Sequence, residues 1–158
     1  MNLSLRHVLP CSPADYWRCV LDEDYGRTLF VGILGFARYE IRSQVERNGI
    51  VGRIIDAEPR REGVPSMLHK LLPYAEVGTL TRARGEYVWH TEHNTDTSRT
   101  FGRMRVTACP GGCVREVEMS VHVAVPFLGG MLESRIADDA KRAWDASVAF
   151  TQRWLRAA

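Results

Sequence analysis

The sequence lacks several features that would point to a particular class of protein. No apolar run approaches the roughly 20 residues that a membrane-spanning helix needs, and no uninterrupted apolar region of the signal-peptide kind follows Arg6 and His7. We therefore expect a cytoplasmic protein without stable membrane insertion. Lysine and arginine (21 residues) exceed aspartate and glutamate (19 residues) by only two, so the charge balance gives no basis for nucleic-acid binding.

Cysteine is also scarce, with Cys11, Cys19, Cys109 and Cys113 as the only four. Four thiols in a cytoplasmic chain of this length do not indicate a disulfide framework. The segment Cys109-Pro-Gly-Gly-Cys113 predicts a turn between two strands, across which its two cysteines could face one another. We interpret it as a structural turn with reduced thiols rather than a redox or metal-binding pair, because no second Cys/His pair at finger-like spacing completes a zinc site. Neither a metal nor a cofactor is expected.

The chain begins with one predicted strand and two short predicted helices. Apolar residues alternate with polar ones from residue 3 to residue 9, which is typical of a half-buried strand. Ser12-Pro13-Ala14-Asp15 then supplies a capping hydroxyl, a proline at the first helical position and an acid at the third. A second short helix is predicted from about residue 22 to residue 30, closed off by Gly32 and Gly35.

Six strands in hairpin succession and one long helix make up the remainder. From residue 37 the apolar period is two, and Asn48-Gly49 is a strong hairpin signal. Strands are predicted at about 37–46, 51–58, 76–83, 86–93, 100–108 and 114–125, with a long excursion over 59–74 that carries at most a helical turn or two. The last strand has one apolar face and one polar face, and a helix follows from about residue 130 to residue 156.

This order of elements predicts a fold. A strongly curved antiparallel sheet with one apolar face needs a long element to cover that face, and the last helix is the only candidate. We therefore predict a single α+β domain over residues 1–158. It has a curved seven-stranded antiparallel sheet wrapped around a long C-terminal helix, with two short helices after the first strand.

Three segments also carry a resemblance to a known family. They are Val125-Pro126-Phe127-Leu128-Gly129-Gly130 followed by Glu133, Phe150-Thr151-Gln152-Arg153-Trp154-Leu155, and Pro10-Cys11-Ser12-Pro13 with Tyr16-Trp17. With them the chain resembles, over essentially its whole length, the START-like (SRPBCC) superfamily of helix-grip proteins, and within it a bacterial branch of unknown function. The resemblance implies a deep apolar cavity between sheet and helix, which most members use to bind lipids, sterols, polyketides or other hydrophobic molecules. Some members are aromatase/cyclases and some act through protein partners.

The positions that point inward in this arrangement are our predicted ligand-binding residues. Small residues on the apolar stripe of the last helix leave room opposite the sheet, and methionines offer adaptable walls. The predicted set is His7, Tyr39, Ile41, Tyr87, Trp89, Met104, Val106, Met119, Val121, Val123, Ile136, Ala140 and Trp144, with Phe127 and Met131 at the mouth of the cavity. The two mouth residues either gate the entry of a ligand or close the core as an ordinary apolar staple.

Three functions remain open, and the first is favoured. It is non-catalytic binding or carriage of a small hydrophobic ligand, lipid, sterol or polyketide-like. The second is a cyclase or aromatase that uses inward His and Tyr residues; its acid and base candidates are His7, Tyr39 and Tyr87, with Glu76 or His69 at the rim. No recognised triad is present, and a core histidine bonded to a neighbour is the favoured interpretation of His7, ahead of a polar hook or general base. The third is a module that docks a protein partner.

Overall fold

A computed structural model describes all 158 residues. Its strands are β1 (Asn2–Leu9), β2 (Arg38–Arg47), β3 (Ile50–Glu58), β4 (Tyr74–Thr81), β5 (Glu86–His93), β6 (Ser98–Cys109) and β7 (Gly112–Val123). Its helices are α1 (Pro13–Val20), α2 (Glu23–Arg27) and α3 (Gly129–Ala157). None of the helices is both long enough and apolar enough to cross a membrane.

The seven strands form one antiparallel sheet in the order β1-β7-β6-β5-β4-β3-β2. Consecutive strands pair from β2 to β7, including β3 and β4, which the long excursion over residues 59–73 connects. The exception is β1, which pairs with β7, so α1 and α2 carry the chain from one edge of the sheet to the other. With α3 packed across one face of this curved sheet, the predicted helix-grip α+β fold is confirmed.

The two short helices begin where their capping residues predict. The Asp15 amide donates a hydrogen bond to the Ser12 hydroxyl at 3.1 Å, and Pro13 is the first residue of α1. Asp22 caps α2 in the same way, accepting from the amides of Asp24 and Tyr25. The second helical segment is longer than predicted, because α2 continues as a π-helical stretch over Thr28–Ile33.

Two of the hairpin turns, β2–β3 and β6–β7, had specific predictions from the sequence. Asn48 (φ 52°) and Gly49 (φ 74°) both have left-handed backbone, as the predicted turn between β2 and β3 requires. In the β6–β7 hairpin, however, Cys109 lies opposite Gly112, and Cys113 lies opposite Ala108. The expectation that the two cysteines could face one another is therefore wrong: the side-chain alternation puts them on opposite faces, with Cys113 buried.

We call the face of the sheet that α3 covers the inner face. Alternation along each strand places one apolar set of side chains there, and these form the main core with α1 and the apolar stripe of α3. The most completely buried apolar members are Leu9, Leu80, Met104, Val117 and Val121. The outer face carries ion pairs, such as Arg103 with Glu118 at 2.6 Å. The sheet is therefore mainly apolar on one side and charged on the other.

Candidate functional site

The predicted site residues separate into three groups by exposure. Eight are buried on the inner face: Tyr39, Tyr87, Trp89, Met104, Val106, Met119, Val121 and Val123. Five are half-buried: His7, Ile41, Ile136, Ala140 and Trp144. The remaining two, Phe127 and Met131, are exposed. Ten residues of the first two groups form or pack against the main core between the sheet, α1 and α3. Tyr39 instead packs against Gly26 of α2 and stacks on Phe30.

Phe127 and Met131, the two residues predicted at the mouth of the cavity, do not line the interior. Phe127 has a left-handed backbone (φ 63°) in the turn between β7 and α3, and its side chain is fully exposed. Met131 lies on the solvent side of the first turn of α3. Their neighbours Leu128 and Leu132 are the half-buried residues of this turn, and Leu132 packs on the core.

Two aromatic rings lie flat on the inner face rather than standing up from it. A Cβ atom built on Gly102 would overlap the Trp89 ring, and one built on Gly78 would overlap the Tyr87 ring. Each ring therefore lies over a glycine of a neighbouring strand, in space that a larger side chain at that position would occupy. The two rings stack at 5.6 Å between centroids.

The middle of the inner face keeps access to solvent. Glu76 on β4 and Thr91 on β5 are directly opposite each other, both point inward, and both are only half-buried. Across from them, Ile136, Ala140 and Trp144 follow one another at four-residue spacing on α3 and are also half-buried. The Trp144 ring lies 6.2 Å from the Trp89 ring, which places this stripe of α3 above the sheet centre. We call the region between these residues the central space.

The excursion over residues 59–73 spans one end of the central space. A 3₁₀ stretch occupies Ser66–Leu71, and Leu68 within it is buried. On one side the Leu71 carbonyl lies 3.2 Å from Nδ1 of His93, at the end of β5. On the other side Arg135 of α3 donates to the Glu62 carbonyl at 2.6 Å. The excursion is thus bonded both to the sheet and to the helix, and it covers the opening between them.

A cluster of four polar side chains borders the central space, which we call the glutamate cluster: Arg53, Glu76, Tyr87 and Tyr39. The Tyr87 hydroxyl donates to Oε1 of Glu76 at 2.7 Å. Arg53 is buried and donates to the Tyr39 hydroxyl at 3.1 Å and to the Val20 carbonyl at 2.8 Å. These groups occupy inner-face positions on four different strands, so the sheet register brings them together.

Burial controls the acid–base properties of this cluster. Desolvation raises the pKa of Glu76, while the Arg53 charge and the Tyr87 hydrogen bond oppose that rise. Desolvation also raises the pKa of Tyr39 to about 12 and that of Tyr87 further, the latter increased by the neighbouring Glu76. Both tyrosines are therefore neutral hydrogen-bond donors near pH 7, and Glu76 is the group whose proton can move.

A second buried cluster centres on Arg115. Its Nη1 donates to Ser147 Oγ at 2.8 Å and to the Tyr16 hydroxyl at 3.1 Å. Its Nη2 donates to the Trp144 carbonyl at 2.8 Å and to Nδ1 of His7 at 3.1 Å. The guanidinium lies 4.9 Å from the centre of the Trp144 ring. This fully buried cation therefore joins β1, β7, α1 and α3, and it forms no ion pair with a carboxylate.

The histidines offer little for catalysis or metal binding. Both ring nitrogens of His7 are engaged, Nδ1 with Arg115 and Nε2 with Asp145 at 2.8 Å. His69 bonds to the Val64 carbonyl at 2.8 Å within the excursion. His90 and His93 fall on opposite faces of β5, the first beside Glu92 and the second beside the Leu71 carbonyl. Of the acid and base candidates, Glu76 is the one that combines a tyrosine partner with access to the central space.

Arg53 and Arg115 were not identified from the sequence as buried residues, although the side-chain alternation along β3 and β7 places both on the inner face. Arg115 shares its parity with Val117 and the other apolar residues of β7, and Arg53 lies between Val51 and Ile55 on β3. A charged residue at such a position is easily assigned to a solvated face. The structure instead gives the guanidinium of Arg53 two acceptors and that of Arg115 four, which helps to bury the charge, although Nε of each is left without a partner.

Two surface pockets lie away from the central space, at the C-terminal end of α3. One, of about 220 Å³, is lined by Leu9, Pro10, Cys11, Thr151, Gln152, Leu155 and Arg156. The other, of about 330 Å³, is lined by Arg18, Cys19, Asp22, Trp154, Leu155, Ala157 and Ala158. Neither pocket is lined by a predicted site residue.

Comparison with known proteins places this chain in a family. Residues 4–155 match the family described as Protein of unknown function (DUF2505). The chain belongs to this family. No curated protein matches the sequence.

Solved structures share the fold of this DUF2505 protein at low sequence identity. TTHA0849 from Thermus thermophilus is 12% identical with a TM-score of 0.69, covering 100% of this chain and 99% of its own. Norcoclaurine synthase from Thalictrum flavum, in complex with dopamine and hydroxybenzaldehyde, is 17% identical with a TM-score of 0.63, covering 99% and 87%. The di-domain ARO/CYC StfQ of the steffimycin biosynthetic pathway is 12% identical with a TM-score of 0.67, covering 98% and 52%. These similarities identify the START-like helix-grip fold.

Proposed function

We propose that this protein binds a small hydrophobic molecule, lipid, sterol or polyketide-like, in the central space between the inner face and α3. The observation that carries the proposal is the placement of Trp89 and Tyr87, whose rings lie over glycines and leave the middle of the inner face half-buried. A sealed core would fill this region with side chains at the density typical of protein interiors. Aromatic walls with a few polar groups are instead typical of ligand sites.

Two further observations support binding. The excursion over residues 59–73 covers one end of the central space through few hydrogen bonds, so it can open without disturbing the sheet. Among the structural neighbours, norcoclaurine synthase holds dopamine and hydroxybenzaldehyde, so a protein of this fold takes up small aromatic molecules. The proposed setting is the cytoplasm, with the ligand as the main partner.

Native mass spectrometry of the protein purified from its own host tests the proposal, followed by solvent extraction of any bound molecule. We expect an added mass of a few hundred daltons, on the scale of pocket-sized ligands, that disappears on denaturation. Ala140→Trp fills the central space and should abolish the added mass, whereas Ala149→Trp, on the exposed side of α3, should retain it. Retention of the added mass by folded Ala140→Trp would place the ligand elsewhere.

A cyclase-type activity is the second candidate, and Glu76 is the observation that favours it. Its carboxyl group is oriented by Tyr87, borders the central space and has a pKa raised by burial, as a general acid or base requires. Glu76→Gln should then abolish turnover of a poly-β-ketone substrate while the protein still binds it. Equal turnover by the variant would remove Glu76 from any catalytic role.

A further inference from the structure

We infer that the Glu76 carboxyl group is the head-group site of the central space and that it selects a neutral hydroxyl group on an otherwise hydrophobic molecule. This inference rests on the proposed function and specifies the class of ligand. Its basis is that only one of the two carboxyl oxygens of Glu76 has a hydrogen-bond partner. Oε1 accepts the Tyr87 hydroxyl at 2.7 Å, while Oε2 forms no hydrogen bond and is not sealed from solvent. One carboxyl oxygen is therefore held in place and the other is free to meet a ligand.

The two protonation states of the carboxyl group limit which ligand groups can form a hydrogen bond with it. An ionised carboxylate only accepts hydrogen bonds, whereas a protonated one also donates. A hydroxyl group both donates and accepts, so it satisfies Oε2 in either state. A group that only donates or only accepts would match one state alone.

The charges around the site argue against an ionic head group. A ligand carboxylate would place a second acid against Glu76, in a region where burial already disfavours the charged form. A ligand ammonium would approach the Arg53 guanidinium, whose charge is close enough to lower the Glu76 pKa. Arg53 donates to the Tyr39 hydroxyl and the Val20 carbonyl, and its unpartnered Nε is sealed from solvent, so its charge acts on the site without an exposed donor for an anion.

The surroundings of Glu76 fit the hydrophobic remainder of such a ligand. Trp89 lies flat on the sheet in the next inner-face row, with Trp144 above it at 6.2 Å between ring centroids. Ala140, one turn before Trp144, offers only a methyl group on the helix side. A planar ring system that packs against Ala140 and the edges of these two contacting rings would have its polar end beside Glu76.

Three matched probes test this inference: 2-naphthol, 2-methylnaphthalene and 2-naphthoate, whose affinities are measured by isothermal titration calorimetry at pH 7. We expect the wild-type protein to bind 2-naphthol about tenfold more tightly than 2-methylnaphthalene, as one added hydrogen bond allows, and more tightly than 2-naphthoate. Glu76→Leu should remove the preference for naphthol and leave methylnaphthalene binding within about threefold. If Glu76→Leu does not fold, the wild-type ranking of the three probes carries the test, because Glu76→Gln keeps a polar group that a hydroxyl can still meet.

The outcomes separate the two proposals. Equal affinities for naphthol and methylnaphthalene, or tightest binding of naphthoate, would overturn the head-group inference while leaving hydrophobic binding in place. Unchanged naphthol preference in a folded Glu76→Leu variant would overturn it as well. Failure of the folded wild-type protein to bind any of the three probes would instead count against binding in the central space.

Discussion

Arg115 fixes the tautomer of His7. A guanidinium has no acceptor, so the 3.1 Å contact between Arg115 Nη2 and His7 Nδ1 requires that Nδ1 carry no proton. The proton of the neutral ring is then on Nε2, which donates to Oδ1 of Asp145 at 2.8 Å. A fully buried cation is in this way connected through a histidine to a carboxylate at the protein surface. The connection explains why His7 tolerates an inward position on β1, and it leaves no free ring nitrogen for a ligand or substrate.

Arg115→Lys should destabilise the protein strongly. The lysine ammonium keeps the charge but cannot reach the hydrogen-bond acceptors on β1, α1 and α3 together, so buried polar groups lose their partner. We expect the free energy of unfolding, measured by urea denaturation, to fall by about 2–4 kcal/mol. Arg103→Lys, on the solvated face beside Glu118, is the matched control and should stay within about 0.5 kcal/mol. Similar losses in both variants would contradict the role given to Arg115.

The His7–Asp145 contact predicts an acid-range loss of stability. The His7 hydrogen bond lowers the pKa of Asp145, and Lys141 contributes further. A carboxyl group whose folded pKa lies below its unfolded value, about 3.9, stabilises the fold above that value and loses the contribution as pH falls through the folded pKa. Asp145→Asn should therefore flatten the fall in melting temperature below about pH 4. Asp138→Asn, exposed on α3 and without an ion pair, should retain the wild-type profile.

Glu76 predicts the opposite pH dependence. Burial places its folded pKa above the unfolded value, so its effect on stability is most favourable below the unfolded pKa and is lost as pH rises through the folded pKa. Glu76→Gln keeps an acceptor for Tyr87 and removes the ionisation. We therefore expect the variant to be more stable than wild type at pH 8 and close to it at pH 4, by thermal unfolding at both values. A variant less stable than wild type at pH 8 would show that the charged form of Glu76 is favoured in the fold.

The sequence predicted the fold better than the site because the two depend on different information. Alternation, caps and hairpin turns are local, and they correctly placed α1, the β2–β3 turn and the strand order from β2 to β7. The glutamate cluster depends on register across four strands, which brings together residues that are far apart in the chain. Arg53 and Arg115 are charged residues at inward strand positions, and such a charge is tolerated only when hydrogen-bond partners from other elements surround it. Those partners cannot be recognised from the sequence of the strand itself.

Gly102→Ala tests whether the flat placement of Trp89 keeps the central space open. The new methyl group would overlap the ring, so Trp89 must tilt away from the sheet toward α3. We expect a loss of about 1–3 kcal/mol in the free energy of unfolding, as for other overpacked cores, together with a shifted tryptophan emission spectrum. Gly52→Ala on β3 is the control, because a Cβ there meets nothing within 4 Å, and it should be neutral or slightly stabilising. Since the tilted ring would occupy the central space, Gly102→Ala should also weaken binding of any ligand held there. A variant with wild-type stability and emission would show that the ring does not depend on the glycine beneath it.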